Sequence, residues 1–373
     1  MQLTFHELND KINIGNVDDG GMKMSEFKEL YLSEYMPKSE LVVEEHEVLL
    51  PKFPVIDVHT HFGSVLLGPD YEKFFDTEEV VKKFKSFGVK NIVNLDGKWG
   101  DELIRSLNKI HPHEDFIITF GSIDVTKLDD SDFESYVRKT LHESKERGIR
   151  GLKFLKDVSL VHKDKSGKYI AVDDPRLQVI WATAAELGLP VLIHIADPVA
   201  FFRPVDRFNE RYEELSAHPN WSYHKPGMYT FEELLDMQEN LLESNPDTTF
   251  IIAHCGSYPE NLGYVARSLD RYPNMYVDIG ARIAELGRQP YSARKFFIKY
   301  QDRILFATDV SPLNPCYPIY YRFLETWDEY FDYSDEPIPP QGRWKIYGIG
   351  LEDEVLEKVY YKNAEKVMRI TEE

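Results

Sequence analysis

From residue 53 onward, short apolar runs alternate along the chain with longer stretches in which apolar residues recur at helical spacing. Eight apolar runs predict strands, at 53–58, 91–95, 116–120, 151–155, 190–195, 249–254, 275–279 and 303–308. Most of these runs are continuous, which is typical of parallel strands that are buried on both faces. The stretches between them predict helices at 76–87, 101–110, 131–147, 174–187, 231–243, 258–270, 290–300 and 318–331.

Eight strands that are each followed by a helix predict an α/β fold, a (β/α)8 TIM barrel. An open, doubly wound sheet is the alternative, because alternation alone does not show that the sheet closes. The chain has 373 residues, whereas one such barrel typically needs roughly 250. We therefore divide it into an acidic, irregular N-terminal extension over 1–50 and a (β/α)8 barrel over 51–373.

The longest departure from this alternation is the segment 197–229, which lies between the fifth strand and its helix. A long insertion in a compact domain is usually functional. In a barrel it would lie on the C-terminal face, where active sites form. A packing excursion or a subunit contact is the alternative interpretation of this inserted loop.

The charge and composition exclude several classes of partner. Lys and Arg number 44 against 64 Asp and Glu, a formal net charge of −20, which repels nucleic-acid phosphates. No apolar run reaches the roughly 20 residues of a membrane helix. We expect a small-molecule substrate, no nucleic-acid or membrane partner, and a homodimer as one open possibility.

Two cysteines and a start without basic and apolar signal-peptide regions predict a cytoplasmic location. A signal peptide that was removed beforehand is the alternative.

Polar residues of the metal-ligand type stand at the ends of several apolar strands. His59 and His61 end the first strand and, two residues apart, point to the same side. His194, His254 and Asp309 end the fifth, sixth and eighth strands. Imidazole and carboxylate are ligands for zinc and other first-row metals. Any one of these histidines alone is also typical of a core residue, but the five together predict a metal site.

Segments around these residues resemble the amidohydrolase superfamily, and specifically its amidohydrolase-related (type 2) branch of metal-dependent barrel hydrolases and decarboxylases. The matching segments are FPVIDVHTHFG, GIRGLKFL, VLIHIADP, FIIAHCG, LFATDVSP and VYYKNAEKVMRI, within about residues 53–371. The resemblance implies one divalent metal, usually zinc, with His59, His61, His194 and Asp309 as ligands. It also implies that His254, as the acid–base residue, and Asp309 are catalytic.

Two cationic residues near strand ends are candidates for substrate binding. Lys153 lies in the fourth strand, and Arg282 follows the seventh. Arginine and lysine bind carboxylates, so a carboxylated substrate is one interpretation for both. Structural ion pairs are the other. For Lys153, carboxylation and bridging of two metals, as in other branches of the superfamily, is a third.

Two enzymatic functions fit this site. The first is hydrolysis of an ester, lactone or amide by a metal-activated water, with His254 moving the proton. The second is non-oxidative decarboxylation, in which carbon dioxide leaves a carboxylated substrate. A non-catalytic metal-binding or scaffold protein is the alternative from a different class, and the fold alone does not choose among them.

Overall fold

The computed structural model describes Tyr31 and Glu34–Ile370. The chain divides into two units, Met1–Val43 and Glu44–Glu373. Most of the extension predicted over 1–50 lies outside the described residues, so that extension and its boundary stay predictions.

Eight parallel strands form one sheet within the described residues. They are β1 (Val55–Thr60), β2 (Val89–Lys98), β3 (Ile117–Gly121), β4 (Gly151–Phe154), β5 (Val191–Ile193), β6 (Phe250–Ile252), β7 (Met275–Asp278) and β8 (Ile304–Leu305). Each strand pairs with the next along the chain, and all eight predicted strands are present.

The last strand returns to the first and nearly closes the sheet. Val58 N donates to Phe306 O at 3.0 Å, and Asp309 N donates to His59 O at 2.7 Å. A parallel bridge joins Thr60 to Val310 just beyond. The predicted (β/α)8 barrel is therefore confirmed, and the doubly wound alternative is wrong, because such a sheet reverses its strand order and leaves two open edges.

Eight main helices follow the strands. They are α1 (Thr77–Ser86), α2 (Gly100–Ile110), α3 (Phe133–Glu146), α4 (Gln178–Glu186), α5 (Phe231–Ser244), α6 (Leu262–Arg271), α7 (Pro290–Lys299) and α8 (Tyr317–Glu325). The C-terminal residues add Asp353–Glu357, a π-helical turn at Lys358–Lys362 and Asn363–Met368. Single-turn helices occupy Ser64–Leu67, Asp157–Leu160 and Ile283–Leu286, and Ala253–Gly256 forms a turn in which two residues have left-handed backbone angles. Short 3-10 segments occupy Tyr71–Lys73, Val125–Lys127 and Pro175–Leu177.

The eighth helix is shorter than the predicted 318–331. It ends at Glu325, and Thr326 has an extended backbone with φ −110° and ψ 166°. The Thr326 hydroxyl donates to Arg322 O at 2.8 Å, and the buried Asp328 accepts from Arg322 Nε at 2.7 Å. These side-chain contacts replace the next helical turn. No helix among the described residues is long and apolar enough to cross a membrane.

The barrel has separate inner and outer layers of side chains. Phe154 packs its ring against Trp181 of α4, with ring centroids 4.9 Å apart, and Leu152 belongs to the same outer layer. Because side chains alternate along a strand, Lys153 between them points into the barrel. Its side chain is only 1 % exposed, so a charged group lies in the barrel interior.

The segment 197–229 folds over the barrel rim. It contains short helical segments at Val199–Phe202, Tyr212–Ala217 and Pro219–Trp221. Its buried Arg211 binds Glu214 at 2.9 Å and also pairs with Glu285, which follows β7. Tyr223 N donates to Phe201 O at 2.8 Å, which joins the two ends of the segment. The insertion is thus an ordered part of the rim, and we call it the β5 excursion.

Candidate metal centre

A bulge in β1 includes the first of the two histidines of this strand. From Asp57 to Thr60 the strand takes three steps, while its partners in β2, Ile92 and Asn94, are two steps apart. Bulges re-aim side chains next to functional sites. His59 Nε2, within the bulge, lies 3.4 Å from Asp309 Oδ1, and His61 Nε2, just after it, lies 3.5 Å from the same oxygen.

Two residues of the centre have left-handed backbones that non-glycine residues rarely adopt. His254 follows β6 with φ 57°, and Asp309 follows β8 with φ 64°. His254 N donates to Asp278 Oδ1 at 2.9 Å, whereas Asp309 N donates to His59 O. Such backbone strain persists only where the surroundings hold it, and it is concentrated at active sites.

Carboxylates from the sheet orient the two β1 imidazoles. Asp278 Oδ2 lies 2.9 Å from His59 Nδ1, and Asp96 Oδ1 lies 3.3 Å from His61 Nδ1. A carboxylate only accepts, so each Nδ1 carries the hydrogen and each Nε2 keeps its lone pair. These two Nε2 atoms are the nitrogens of His59 and His61 that lie closest to Asp309.

His194 and His254 form the other side of the centre. Asp197 Oδ1 lies 3.1 Å from His194 Nε2, and Gly280 O lies 2.8 Å from His254 Nδ1. Both partners are acceptors, so the remaining nitrogens, His194 Nδ1 and His254 Nε2, keep their lone pairs. These two nitrogens lie 3.2 Å apart, and two facing lone pairs at this distance require a cation beside them.

A metal cation fits this requirement better than a proton. Burial lowers the pKa of His194 to about 4 and holds the pKa values of His59 and His254 well below the usual histidine range. These three imidazoles are therefore neutral, as metal ligands must be. The nearest nitrogens of His59, His61 and His254 lie within 4.0 Å of the Asp309 carboxylate. Asp309 keeps 23 % of its side chain exposed, so the centre is open on that side.

The described residues contain two compact groups with metal-ligand spacing. One comprises His59, His61 and Asp309, and the other comprises His59, His254 and Asp278. In the second group the Asp278 oxygens already accept from His59 Nδ1, His254 N and Gly280 N. We therefore take the first group as the ligand core. His194 belongs to neither group, and its Nδ1 lies beside His254 Nε2, at 3.2 Å.

Both predicted substrate-binding cations lie at the centre. Lys153 Nζ is 3.2 Å from His59 Nε2, and burial lowers the pKa of this lysine to about 8. Arg282 is 6 % exposed, and its Nη1 donates to Ala281 O at 2.7 Å. Its Nε has no hydrogen-bond partner, and no carboxylate of the described residues lies within 4.0 Å of the guanidinium. Arg282 thus retains donors for a bound anion.

Three carboxylates of this centre, Asp96, Asp197 and Asp278, are absent from the sequence-based prediction. Asp96 and Asp278 interrupt apolar strands, the same signal that identified His194. Asp57, two residues before His59, accepts from His59 N at 3.1 Å and Tyr317 OH at 2.8 Å, not from the imidazole.

The family model for the amidohydrolases, Amidohydro_2, matches residues 119–370, more than half of the chain. The chain therefore belongs to the amidohydrolase family. The matched range includes His194, His254 and Asp309 but begins after the β1 histidines. Members of this family are enzymes, hydrolases and decarboxylases among them, and bind a divalent metal. A comparison with curated proteins found no match.

Solved structures share the fold at low sequence identity. 2,6-Dihydroxybenzoate decarboxylase from Rhizobium is 13 % identical with a TM-score of 0.51, covering 85 % of this chain and 99 % of its own. 5-Carboxyvanillate decarboxylase from Novosphingobium aromaticivorans, complexed with manganese, is 13 % identical with a TM-score of 0.51, covering 88 % and 100 %. A TIM-barrel protein from Bordetella bronchiseptica is 15 % identical with a TM-score of 0.50, covering 85 % and 99 %.

Proposed function

We propose that this chain is a metal-dependent hydrolase that cleaves an ester, lactone or amide bond in a small, carboxylated substrate. The observation that carries the proposal is the convergence of the His59, His61 and His254 imidazoles on the partly exposed carboxylate of Asp309, with His194 beside His254. Such a buried donor set with one open side is the arrangement of a catalytic metal site rather than a closed structural one.

His59, His61 and Asp309 would hold one divalent metal, with His194 as the fourth ligand. When bound, the metal supplies Lewis acidity toward a carbonyl oxygen and toward water. The excess of imidazole over carboxylate donors favours zinc, because oxygen-rich sites suit manganese and magnesium better. Manganese is the alternative, and loading with each ion would distinguish them.

His254 is the proposed acid–base residue. Its Nδ1 donates to Gly280 O, which fixes the ring and leaves the Nε2 lone pair directed into the centre. That nitrogen lies 4.0 Å from Asp309 Oδ2, so a water between them would be within reach of both. Burial lowers the pKa of His254, so the ring is neutral and its Nε2 lone pair is the site that would take a proton from water and later return it.

Lys153 and Arg282 support a carboxylated substrate. Both cations are buried at the centre, and within the described chain neither has a carboxylate within 4.0 Å. A buried, unpaired cation is costly unless an anion reaches it. We propose that a substrate carboxylate fills this role, in a bidentate contact with Arg282 and a single contact with Lys153.

Decarboxylation is the second candidate, because the same two cations would bind the carboxylate that leaves. Two of the solved structures with this fold bear names of aromatic-acid decarboxylases. The two reactions need the same residues, so the choice between them depends on the product.

Assays of the zinc-loaded protein test both candidates. Lactones, esters and amides that carry a carboxylate are screened for hydrolysis, and carboxylated aromatics are screened for carbon dioxide release. Hydrolysis that a chelator abolishes and zinc restores would support the proposal. Carbon dioxide release without any hydrolysis would replace hydrolase by decarboxylase, and activity that survives metal removal would refute both. Two metal equivalents per chain would favour a bridging, carboxylated Lys153.

A further inference from the structure

The support of His194 differs from that of the other imidazoles. Its carboxylate partner, Asp197, begins the β5 excursion and is itself bound by a lysine: Lys156 Nζ lies 2.5 Å from Asp197 Oδ2. Asp197 Oδ1, the other oxygen, faces His194 Nε2 at 3.1 Å. One oxygen of the buried Asp197 carboxylate thus contacts Lys156, which follows β4, and the other oxygen contacts the imidazole of His194, which follows β5.

This arrangement determines which nitrogen of His194 carries the hydrogen. Asp197 can only accept, so His194 Nε2 must donate, and Nδ1 is left with its lone pair toward His254 Nε2. A tautomer with the hydrogen on Nδ1 would direct an N–H group into the centre. That tautomer cannot act as a ligand through Nδ1.

We propose that Asp197, held by Lys156, is a positioning residue that keeps His194 in the tautomer with a free Nδ1 lone pair. This inference rests on the proposed metal-dependent function and adds two residues to it. Partners of this kind around metal-bound histidines typically raise metal affinity by roughly 10- to 100-fold. Neither residue touches the ligand core itself.

Lys156 gives the proposal a specific consequence. In Asp197→Asn, the ammonium of Lys156 would attract the amide oxygen, which turns the amide NH2 group toward His194 Nε2. His194 would then have to accept at Nε2 and carry its hydrogen on Nδ1. The Tyr223 hydroxyl, which also faces this side chain, can donate or accept and opposes neither orientation.

The double variant should therefore bind metal better than the single one. In Asp197→Asn/Lys156→Met no ammonium holds the amide oxygen, so the amide can turn and present that oxygen to His194 Nε2. We expect the zinc affinity of Asp197→Asn to fall by roughly 10- to 100-fold and to recover in part in the double variant. A merely structural ion pair would change the melting temperature of the metal-free variants and leave their zinc affinity at the wild-type value, so the two measurements together separate the two roles.

Competition with a zinc chelator measures these affinities for the full chain. Asp197→Asn, Lys156→Met, Lys156→Arg and the double variant are compared with wild type, and visible absorption of the Co²⁺-loaded proteins reports a change of ligands. Lys156→Arg should retain wild-type affinity. Glu232→Gln is the matched control, since it also converts a carboxylate of an ion pair near the β5 excursion, with Arg203 at 2.6 Å, to an amide.

Wild-type zinc affinity in Asp197→Asn, or a double variant that binds no better than the single one, would overturn the positioning proposal and leave the hydrolase proposal intact. A wild-type chain that binds no zinc would overturn both. Melting of the metal-free proteins shows whether each variant folds. If Asp197→Asn does not, Asp197→Ala replaces it, and an unchanged affinity there also contradicts the proposal.

Discussion

The two sides of the metal centre are supported by different parts of the molecule. On the β1 side, His59 and His61 receive their carboxylates from strands β7 and β2. These strands are fixed by the backbone hydrogen bonds of the barrel itself. This side of the donor set is therefore as rigid as the sheet.

On the β5 side, His194 depends on Asp197 at the start of the excursion and on the lysine that binds it. No strand contains either residue. The barrel strands supply the carboxylates that contact His59 and His61, whereas the carboxylate that contacts His194 and the lysine bound to it lie outside the sheet. We expect variants on the two sides to differ accordingly.

The largest effect is expected in the ligand core. His59→Ala and Asp309→Asn should lose the metal and the activity together, because each removes a donor from the group in which the ligand atoms lie closest. The loss of affinity should exceed the roughly 10- to 100-fold that an orienting partner contributes. Metal analysis of the purified variants, combined with turnover, measures both. His142→Ala, at an exposed histidine of α3, should change neither, and one full metal equivalent in Asp309→Asn would contradict the assignment.

The next effect concerns turnover without loss of metal. His254→Ala should keep the metal, since the ligand core stays complete, and should lower kcat by roughly 10²- to 10⁴-fold, the usual contribution of a general acid–base residue. The measurement is kcat of the protein at a verified metal content. If His254→Ala lost the metal while Asp309→Asn kept it, the two roles would have to be exchanged.

A smaller effect, on metal affinity, compares the two sides directly. Asp278→Asn should weaken zinc binding by roughly 10- to 100-fold, because His254 N and Gly280 N bind Oδ1 and so fix the amide oxygen there. The NH2 group would then face His59 Nδ1 and displace its hydrogen to Nε2. Chelator competition measures the loss.

In Asp278→Asn, backbone N–H groups rather than a lysine would hold the amide oxygen. No substitution of a partner side chain should therefore restore the zinc affinity of this variant. Wild-type affinity in Asp278→Asn would show that the sheet carboxylates do not set the tautomer. Recovery of zinc affinity in the Asp197→Asn/Lys156→Met double variant, without any recovery for Asp278→Asn, would support the contrast between the two sides.

The sequence predicts the strands, and several of the polar residues that meet at their carboxyl ends, for one physical reason. Buried parallel strands are continuous apolar runs, so a polar residue at a strand end, such as His194 or Asp309, is conspicuous. Asp96 and Asp278 also interrupt apolar strands and so carry the same signal. They are less conspicuous than the histidines because the chain contains many acidic residues. Asp197 and Lys156 carry no such signal, because their contact depends on how two loops fold over the rim.

Register and helix ends are harder to predict because they depend on contacts distant in sequence. The His59 imidazole contacts Asp278, whereas the nearby Asp57 contacts the His59 backbone, and nothing in the sequence around Asp57 indicates the register shift in β1 at this point. The early end of α8 follows from the burial of Asp328 against Arg322. Local propensity does not report such tertiary contacts.

The smallest expected effect is on stability, at an ion pair that involves no residue of the metal centre. Asp328 binds His46 Nδ1 at 2.5 Å and His46 N at 2.7 Å. The hydrogen bond and charge of Asp328 raise the pKa of His46, with Glu44 adding to the rise and Arg322 opposing it. Burial alone would raise the pKa of Asp328, but its bonds to His46 and Arg322 bring it below the ordinary value.

The sign of the pH dependence follows from these two directions. His46, with a raised pKa, stabilises the fold fully below about pH 6.5, and this contribution disappears as the pH rises through the folded-state pKa. Asp328, with a lowered pKa, contributes above about pH 4 and ceases to do so as the pH falls through its own folded-state value. The ion pair therefore stabilises the protein most between these limits and less at pH 8 than at pH 6.

His46→Gln should reduce the difference in melting temperature between pH 6 and pH 8 by on the order of 1 °C, because the pair is partly exposed to solvent. Calorimetry of the metal-free protein at both pH values measures it, with His142→Gln as the exposed-histidine control. Zinc affinity should stay at the wild-type value, since an ion pair outside the centre orients no ligand. A loss of zinc affinity in His46→Gln equal to that of Asp197→Asn would mean that any ion pair of an irregular segment supports the centre, and the distinction between its two sides would fail.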